Sequence, residues 1–352
     1  MFTDTDAVFA GFVSGCIASA NCPLRHNHTS ASLQAAITAF FHTLKYNPVV
    51  ITLPPPTGSF MIEYTLVKQL LLLNLYSPAS WPSFAGLLDG LMTANTSAIA
   101  AYIDRLLSSS SDSAPTADAG EALTGIKCSD VRPAGRATSL EGIRPVVEGR
   151  HRMSSVVGDA ADYLPIECAQ WRMPAREQYA GGFAGIRTRG RLLVIGNAFD
   201  PVTPLVAAQN VSKGFERSVL LKHLGYGVCS PFLPSFYPLR VVWNRIGADG
   251  SLQHSSLAQG SLCTARATRA YFVNGTLPEP GTECRVDVDR FAGNDGWDEV
   301  MSHFNTGNAT ATATRSVAHR VARRWEAGRH LVGMGPLESL VRTARLGVMD
   351  KL

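Results

Sequence analysis

An uninterrupted apolar run is the feature of this 352-residue sequence that most limits its fold. Residues Arg191–Gly196 read Arg-Leu-Leu-Val-Ile-Gly, the composition of a strand buried on both faces of a parallel sheet. A helix is predicted directly after it, with Thr203 as N-cap, Pro204 in its first turn and Gly214 at its end. A second short strand is predicted over Ser218–Leu221. The alternation of strand and helix predicts an α/β sheet.

The sequence before this sheet is predicted to be mainly helical. The predicted elements are a helix from Thr29 or Ser30 to Pro48, a strand over Val49–Leu53, and helices over Phe60–Tyr76, from Ser80 onward and over Ser97–Leu107. A further helix, after the sheet strands, starts at Ser261 and ends at Asn274-Gly275. We interpret the apolar faces of the early helices as core packing.

Candidate catalytic side chains follow the two predicted strands. Asp200 lies four residues after Gly196, His223 lies at the end of the next strand, and His254 follows later. A carboxylate followed by a histidine is the order of the last two members of an α/β-hydrolase triad, whose serine comes first. The carboxylate orients the imidazole, which takes the proton from the serine. The alternative is that Asp200, which precedes a proline, only caps a turn.

Longer motifs make this resemblance specific. The strings IGNAFDPVTPL at 195–205 and SLCTARATRAYFVNGTLPEPGTEC at 261–284 resemble the C-terminal domain of the tripeptidyl-aminopeptidase-like α/β hydrolases. These are serine exopeptidases related to proline iminopeptidases. DTDAVFAGFVSGC at 4–16, LYSP at 75–78 and IKCSD at 126–130 resemble the cap region of that family. The resemblance extends to about Phe291 and implies that Asp200 is the triad acid.

The resemblance implies a partial α/β-hydrolase fold with a helical cap. The implied regions are a helical cap at 1–107, a flexible Ser/Ala-rich connection at 108–135, the C-terminal part of the core at 136–291 and an unassigned tail at 292–352. The implied substrate is a peptide cleaved from its N-terminus, with no cofactor. We also expect no metal site, because zinc-binding and P-loop motifs are missing from the sequence.

The nucleophile motif of the family is missing. No G-x-S-x-G occurs in the chain, and the nearest string, Gly11-Phe-Val-Ser14-Gly15, has the wrong spacing for a nucleophile elbow. In the family the elbow precedes the cap. We therefore expect a C-terminal fragment of a serine hydrolase that is inactive alone. The alternative is a non-catalytic pseudoenzyme or binding protein with the same fold.

The position of the triad histidine is complicated by an extra segment. In the family the histidine directly follows a short Gly-rich turn, typically as G-H-C-S. Here the 26 residues 228–253 separate Gly227 from His254, and Ser255 replaces the cysteine. We favour His254 as the general base, with His223 as the alternative. We favour a retained intron as the origin of residues 228–253 over a genuine active-site loop, because a Val codon begins with GT and a Gln codon can end in AG.

Cysteines and sequons indicate the compartment. The seven cysteines include Cys229 inside the extra segment, so six remain without it. Among their many possible pairings we favour Cys16 with Cys22, Cys128 with Cys168, and Cys263 with Cys284. Five N-x-[ST] sequons, at Asn27, Asn95, Asn210, Asn274 and Asn308, also suit a secreted glycoprotein.

The ends and the charge distribution exclude other classes. The first residues do not have the pattern of a signal peptide, and no apolar run approaches the ~20 residues that cross a bilayer. The net charge of +4 has no Lys/Arg block behind it. We therefore expect neither nucleic acid nor a membrane as partner.

Overall fold

A computed structural model describes residues 2–53, 58–108, 119–130, 137, 139–160, 163–173, 175–179, 181–227 and 258–305. The chain forms one compact unit over Met1–Val300 and a second over Met301–Leu352, of which only residues 301–305 are described. The helices are α1 (Thr5–Ala18), α2 (Ser30–Leu44), α3 (Tyr64–Asn74), α4 (Trp81–Met92), α5 (Thr96–Ser108), α6 (Ala119–Asp130), α7 (Leu140–Met153), α8 (Tyr163–Gln170), α9 (Leu205–Gly214), α10 (Leu262–Asn274) and α11 (Trp297–Asn305). The strands are β1 (Val49–Leu53), β2 (Gly58–Ile62), β3 (Leu193–Phe199), β4 (Val219–Tyr226) and β5 (Glu283–Arg285).

Three helices of the N-terminal region, α2, α4 and α5, begin within one residue of their predicted starts. Thr29 caps α2 by accepting a hydrogen bond from the Ser32 N–H, and the Ser32 side chain accepts one from the Thr29 N–H. These two bonds form a capping box, which satisfies N–H groups that the helix itself leaves free. The predicted helices at α4 and α5 are confirmed as well.

The predicted start of the third helix is wrong, because Phe60 lies in β2 and not in a helix. β2 pairs antiparallel with β1, with Ile51 opposite Phe60. Ile51 and Ile62 are buried at 3% and 4% exposure, whereas Val50 and Met61, which face each other, are 66% and 61% exposed. This alternation is the period of a strand with one buried face, and the helix begins only at Tyr64.

The described sheet that follows is parallel, with the order β3-β4-β5. β4 is central and its side chains alternate between buried and half-buried. The α9 helix connects β3 to β4 and packs closely on the sheet, since a Cβ added to Gly196 would lie 2.7 Å from the Cβ of Ala208. The Leu193–Ile195 side chains are only half-buried, so the prediction of a strand covered on both faces is wrong for β3, which is an edge strand of the described sheet.

Aromatic side chains join the N-terminal helices to the sheet. The ring of Trp81 on α4 lies 5.7 Å from that of Phe12 on α1 and 5.7 Å from that of Tyr226 at the end of β4. Tyr226 also stacks on Phe199, the last residue of β3, at 4.3 Å. A Cβ on Gly11 would lie 2.1 Å from the Tyr226 ring, so only glycine lets α1 approach β4 this closely. This packing holds helices against the carboxyl ends of the strands.

The three favoured cysteine pairs form disulfides: Cys16–Cys22, Cys128–Cys168 and Cys263–Cys284. The last of them ties α10 to β5. The extra segment at 228–253, with Cys229, lies outside the described residues, as does the tail beyond residue 305.

The predicted connection and tail contain helical residues. The α6 helix lies within the predicted connection at 108–135, and α11 lies within the unassigned tail at 292–352. No helix in the described ranges is both long and apolar enough to cross a membrane.

Candidate functional site

Asp200 lies directly after β3, at the edge where the parallel strands β3 and β4 both end. This edge is where open α/β sheets place their binding and catalytic groups. The Asp200 side chain is only 3% exposed. Its Oδ1 accepts hydrogen bonds from the N–H groups of Val202 at 2.9 Å and Thr203 at 2.6 Å, and its Oδ2 accepts one from the Thr203 hydroxyl at 2.7 Å. The turn after β3 therefore fixes the carboxylate in one orientation.

Burial dominates the electrostatics of this carboxyl group. Burial raises the pKa of Asp200 to about 6, although the hydrogen bonds from Val202 and Thr203 act in the opposite direction. The nearby Asp4 carboxylate adds a smaller upward effect on that pKa. Burial, and secondarily the Asp200 charge, also raises the pKa of the Tyr76 phenol, which therefore stays protonated. A perturbed carboxyl group at the end of a parallel strand is typical of a functional site.

The N-terminal helices cover the Asp200 turn. The Thr5 hydroxyl, fully buried, donates to the carbonyl oxygen of Pro201 at 2.6 Å. The sequence did not indicate the proximity of Tyr76, Asp4 and Thr5 to this turn, because these residues are distant from Asp200 along the chain. The role of Thr203 also differs from the prediction. It binds the carboxylate, and Pro204 occupies the N-cap position of α9.

The ends of the undescribed stretch 228–257 are bonded at the same edge. The N–H of Gly227 donates to the carbonyl oxygen of Phe199 at 2.9 Å. The N–H of Tyr226 donates to Oε1 of Gln259 at 2.9 Å, and Gln259 is only 1% exposed. The chain thus leaves β4 after Gly227 and returns at Gln259, which is bonded to the end of β4.

The alternative base, His223, lies inside the protein. It is 0% exposed, and its Nδ1 lies 2.9 Å from the hydroxyl oxygen of Thr264. Burial lowers the pKa of His223 to about 4, against the opposing effects of the Gln259 backbone and the Asp287 charge. A neutral, enclosed imidazole held by Thr264 cannot reach a substrate. The favoured base, His254, lies outside the described residues.

The serine of the elbow-like string is also in the wrong setting for a nucleophile. Ser14 lies within α1, where its hydroxyl donates to the carbonyl oxygen of Gly11 at 3.2 Å. The Arg290 guanidinium donates to the same hydroxyl oxygen at 3.3 Å. A nucleophile elbow needs a sharp turn between a strand and a helix, which this position does not provide. In the described ranges, no three His, Cys, Asp or Glu side chains are grouped to hold a metal.

A protein-family model for the TAP-like proteins, an α/β-hydrolase family, matches residues 154–231. The matched stretch contains β3, Asp200, α9 and β4. It supports the TAP-like α/β-hydrolase family, and the parallel sheet is compatible with an α/β fold. The match ends within the 228–253 segment and does not include His254. No curated protein matches the chain significantly.

Proposed function

We propose that this chain is the C-terminal part of a serine hydrolase that removes short peptides from free N-termini. In this proposal Asp200 is the triad acid and His254 the general base. The observation that carries it is the buried, oriented carboxylate of Asp200 at the end of β3, inside the stretch that matches the TAP-like family.

The hydrogen bonds of Asp200 leave room for an imidazole. A carboxylate has about four acceptor positions, of which the described bonds occupy two on Oδ1 and one on Oδ2. Oδ2 can therefore accept one more bond, from the N–H of a histidine. With a pKa of about 6 the carboxyl group is mostly ionised at neutral pH, and an adjacent imidazolium would stabilise the charged form further.

The anchoring of Gln259 supports His254 as that histidine. Three residues lie between His254 and Ala258, where the described chain resumes, so the two Cα atoms are at most about 14 Å apart. Gln259 itself binds the end of β4, next to the Phe199 ring that precedes Asp200. This short tether to the end of β4 is consistent with contact between His254 and Asp200.

The nucleophile would come from outside these residues. A serine hydroxyl would attack the peptide carbonyl while His254 takes its proton, and His254 would then return the proton to the leaving amine. Water would hydrolyse the resulting acyl ester in the same manner. Since the chain has no G-x-S-x-G, we propose that it does not hydrolyse peptides alone. Release of nitroaniline from a tripeptide nitroanilide by the purified chain, abolished by Asp200→Ala, would refute this inactivity.

The decisive experiment has two steps. The DNA upstream of the Met1 codon is sequenced and searched for an in-frame G-x-S-x-G, and the protein extended to include that motif is then expressed. We expect tripeptide nitroanilide hydrolysis, and a loss in kcat on the order of 10⁴-fold in Asp200→Asn, because the base would lose its orientation. The matched control is Asp6→Asn, since the Asp6 carboxylate is hydrogen-bonded to Ser154 and Ser155 and is given no role in the proposed chemistry. An extended chain that is inactive, or whose activity survives Asp200→Asn, would exclude the triad role.

We also propose that the protein is secreted. Its three disulfides are bonds that form and persist in oxidising compartments. Titration of the free thiols in protein purified from its native culture without reductant tests this proposal. If every cysteine reacts as a free thiol, the proposal is contradicted.

The second candidate function is a non-catalytic binding protein with this fold. Three large apolar side chains that are exposed to solvent favour this function: Tyr179 is 66% exposed, Phe183 71% and Met173 61%. Exposed apolar surface of this kind marks interaction sites. An upstream sequence without an in-frame serine motif would favour this second function over the first.

A further inference from the structure

The sequon Asn274-Gly275-Thr276 forms an open turn at the end of α10. Asn274 is the last helical residue, and Gly275 caps the helix in the left-handed region at φ 71°. The N–H of Thr276 donates to Oδ1 of Asn274 at 3.2 Å. All three residues are exposed. The side-chain amide oxygen of Asn274 is therefore hydrogen-bonded within the turn, whereas its amide nitrogen forms no hydrogen bond with a described residue.

Other described sequons have atoms that the fold uses. Oδ1 of Asn95 accepts a bond from the Ala98 N–H at 3.2 Å, in the first turn of α5. Asn210 lies within α9, and the hydroxyl of its sequon partner Ser212 is bonded to the Ser218 hydroxyl at 2.9 Å. At the 274–276 sequon, as at Asn95, the described bonds involve only the amide oxygen of the asparagine, and neither the amide nitrogen nor the Thr276 hydroxyl is bonded to a described residue. A substituent on that nitrogen would break no hydrogen bond.

The residues beside this turn give a physical reason for such a substituent. Phe272 and Val273 are 79% and 74% exposed. Two adjacent, exposed apolar side chains favour self-association. A bulky, hydrated group on the next residue would shield both of them.

We propose that Asn274 carries an N-linked oligosaccharide that shields Phe272 and Val273. The donor is an oligosaccharide joined through its anomeric carbon to a lipid pyrophosphate. The amide nitrogen of Asn274 forms a bond to that carbon, the carbon–oxygen bond to the pyrophosphate breaks, the amide loses one proton, and the lipid pyrophosphate leaves. This modification does not depend on the hydrolase chemistry.

The test uses the full chain, directed by an added leader through the secretory pathway of a eukaryotic host. After reduction and trypsin digestion, Asn274 is the sole sequon asparagine of peptide 270–285. Peptide N-glycosidase in heavy-oxygen water should convert it to labelled Asp in most copies of that peptide. The heavy label excludes deamidation that occurred before this step, and a parallel incubation in heavy-oxygen water without the enzyme measures spontaneous deamidation of the Asn-Gly pair during it. Secreted protein whose peptide 270–285 is unlabelled would overturn the proposal, whether or not other sequons are labelled.

Two variants of Thr276 form a matched pair. Thr276→Ser keeps the sequon and Thr276→Ala removes it, while both keep the backbone N–H that closes the turn. We expect the label in the Ser variant and none in the Ala variant. The Ala variant should also bind more of an apolar dye, and Phe272→Ser in the same chain should reverse that gain. Equal dye binding by the Ser and Ala variants would refute the shielding role.

Discussion

Replacing Asp200 by Asn should make the protein more stable at neutral pH, although Asp200 is the proposed triad acid. Burial raises its pKa to about 6 in the fold, against an ordinary value of 3.8. Between these two values the folded protein holds a proton that the unfolded chain releases. The stability contributed by this group is therefore complete below pH 3.8 and is lost as the pH rises through about 6. As long as no imidazolium is paired with Asp200, the difference corresponds to about 3 kcal/mol at pH 7.

An asparagine can keep the local hydrogen bonds of Asp200. Its Oδ1 would still accept from the N–H groups of Val202 and Thr203. Its amide nitrogen would take the place of Oδ2 and donate to the Thr203 hydroxyl, which rotates to accept. We therefore expect Asp200→Asn to raise the free energy of unfolding by about 2–3 kcal/mol at pH 7 and to leave it nearly unchanged at pH 4. Urea unfolding followed by tryptophan fluorescence at both pH values measures this difference.

Asp6 provides a control of the opposite sign. Burial acts to raise its pKa, but hydrogen bonds hold it below the ordinary value; Oδ2 accepts from the Ser155 N–H at 3.0 Å and hydroxyl at 2.8 Å. Asp6→Asn cannot accept at both carboxylate positions and should cost about 2 kcal/mol at pH 7, with a smaller loss in acid. If Asp200→Asn destabilises the protein at pH 7, or has the same effect at both pH values, the burial argument fails.

Two further changes address stability elsewhere. Asp159→Ala leaves the Lys68 ammonium, whose side chain is 6% exposed, without the carboxylate at 3.1 Å, and should cost about 3 kcal/mol in urea unfolding. Burial acts to raise the pKa of Asp159, but the Tyr64 hydrogen bond and the Lys68 charge hold it below the ordinary value. The stability that the Asp159 carboxylate contributes is therefore present above about pH 4 and is lost in acid. The urea unfolding curves of the wild type and of Asp159→Ala should converge there. Replacing Cys128 and Cys168 by Ser removes a crosslink with a sequence separation of 40 and should lower the free energy of unfolding by about 4 kcal/mol. A decrease of less than about 1 kcal/mol would show that the crosslink barely restricts the unfolded chain.

Local signals in the sequence predicted the elements whose ends are set by nearby residues. Thr29 caps α2 and Ser261 caps α10, each through a side-chain oxygen that accepts from an N–H three residues later. Gly275 ends α10 in the left-handed region. Such interactions depend only on neighbouring residues, so a pattern within one turn of helix is sufficient to predict them.

Non-local pairing explains the main errors. The Phe60 position joins a strand because Ile51, on β1, is available to pair with it. The apolar run at Leu193–Ile195 has the composition of a fully covered strand, yet its burial depends on which elements lie beside it. No pattern within either segment contains that information.

The candidate site was predicted in part. Spacing and motif identified Asp200, but they left His223 and His254 as alternative bases. The structure encloses His223 and bonds it to Thr264, a residue 41 positions away in sequence, whereas His254 lies outside the described residues and stays a prediction. The contacts of Tyr76 with this region also depend on packing between distant segments.

The pKa of Asp200 also bears on the alternative that this residue only caps a turn. A carboxylate that accepts several hydrogen bonds is normally stabilised in its charged form, as at Asp6, where bonds from Ser154 and Ser155 hold the pKa below its ordinary value although burial acts to raise it. At Asp200 three such bonds are present, yet burial outweighs them and the charged form costs stability. An asparagine would cap the same turn without that cost. This cost agrees with our proposal that Asp200, at the end of β3, orients a histidine.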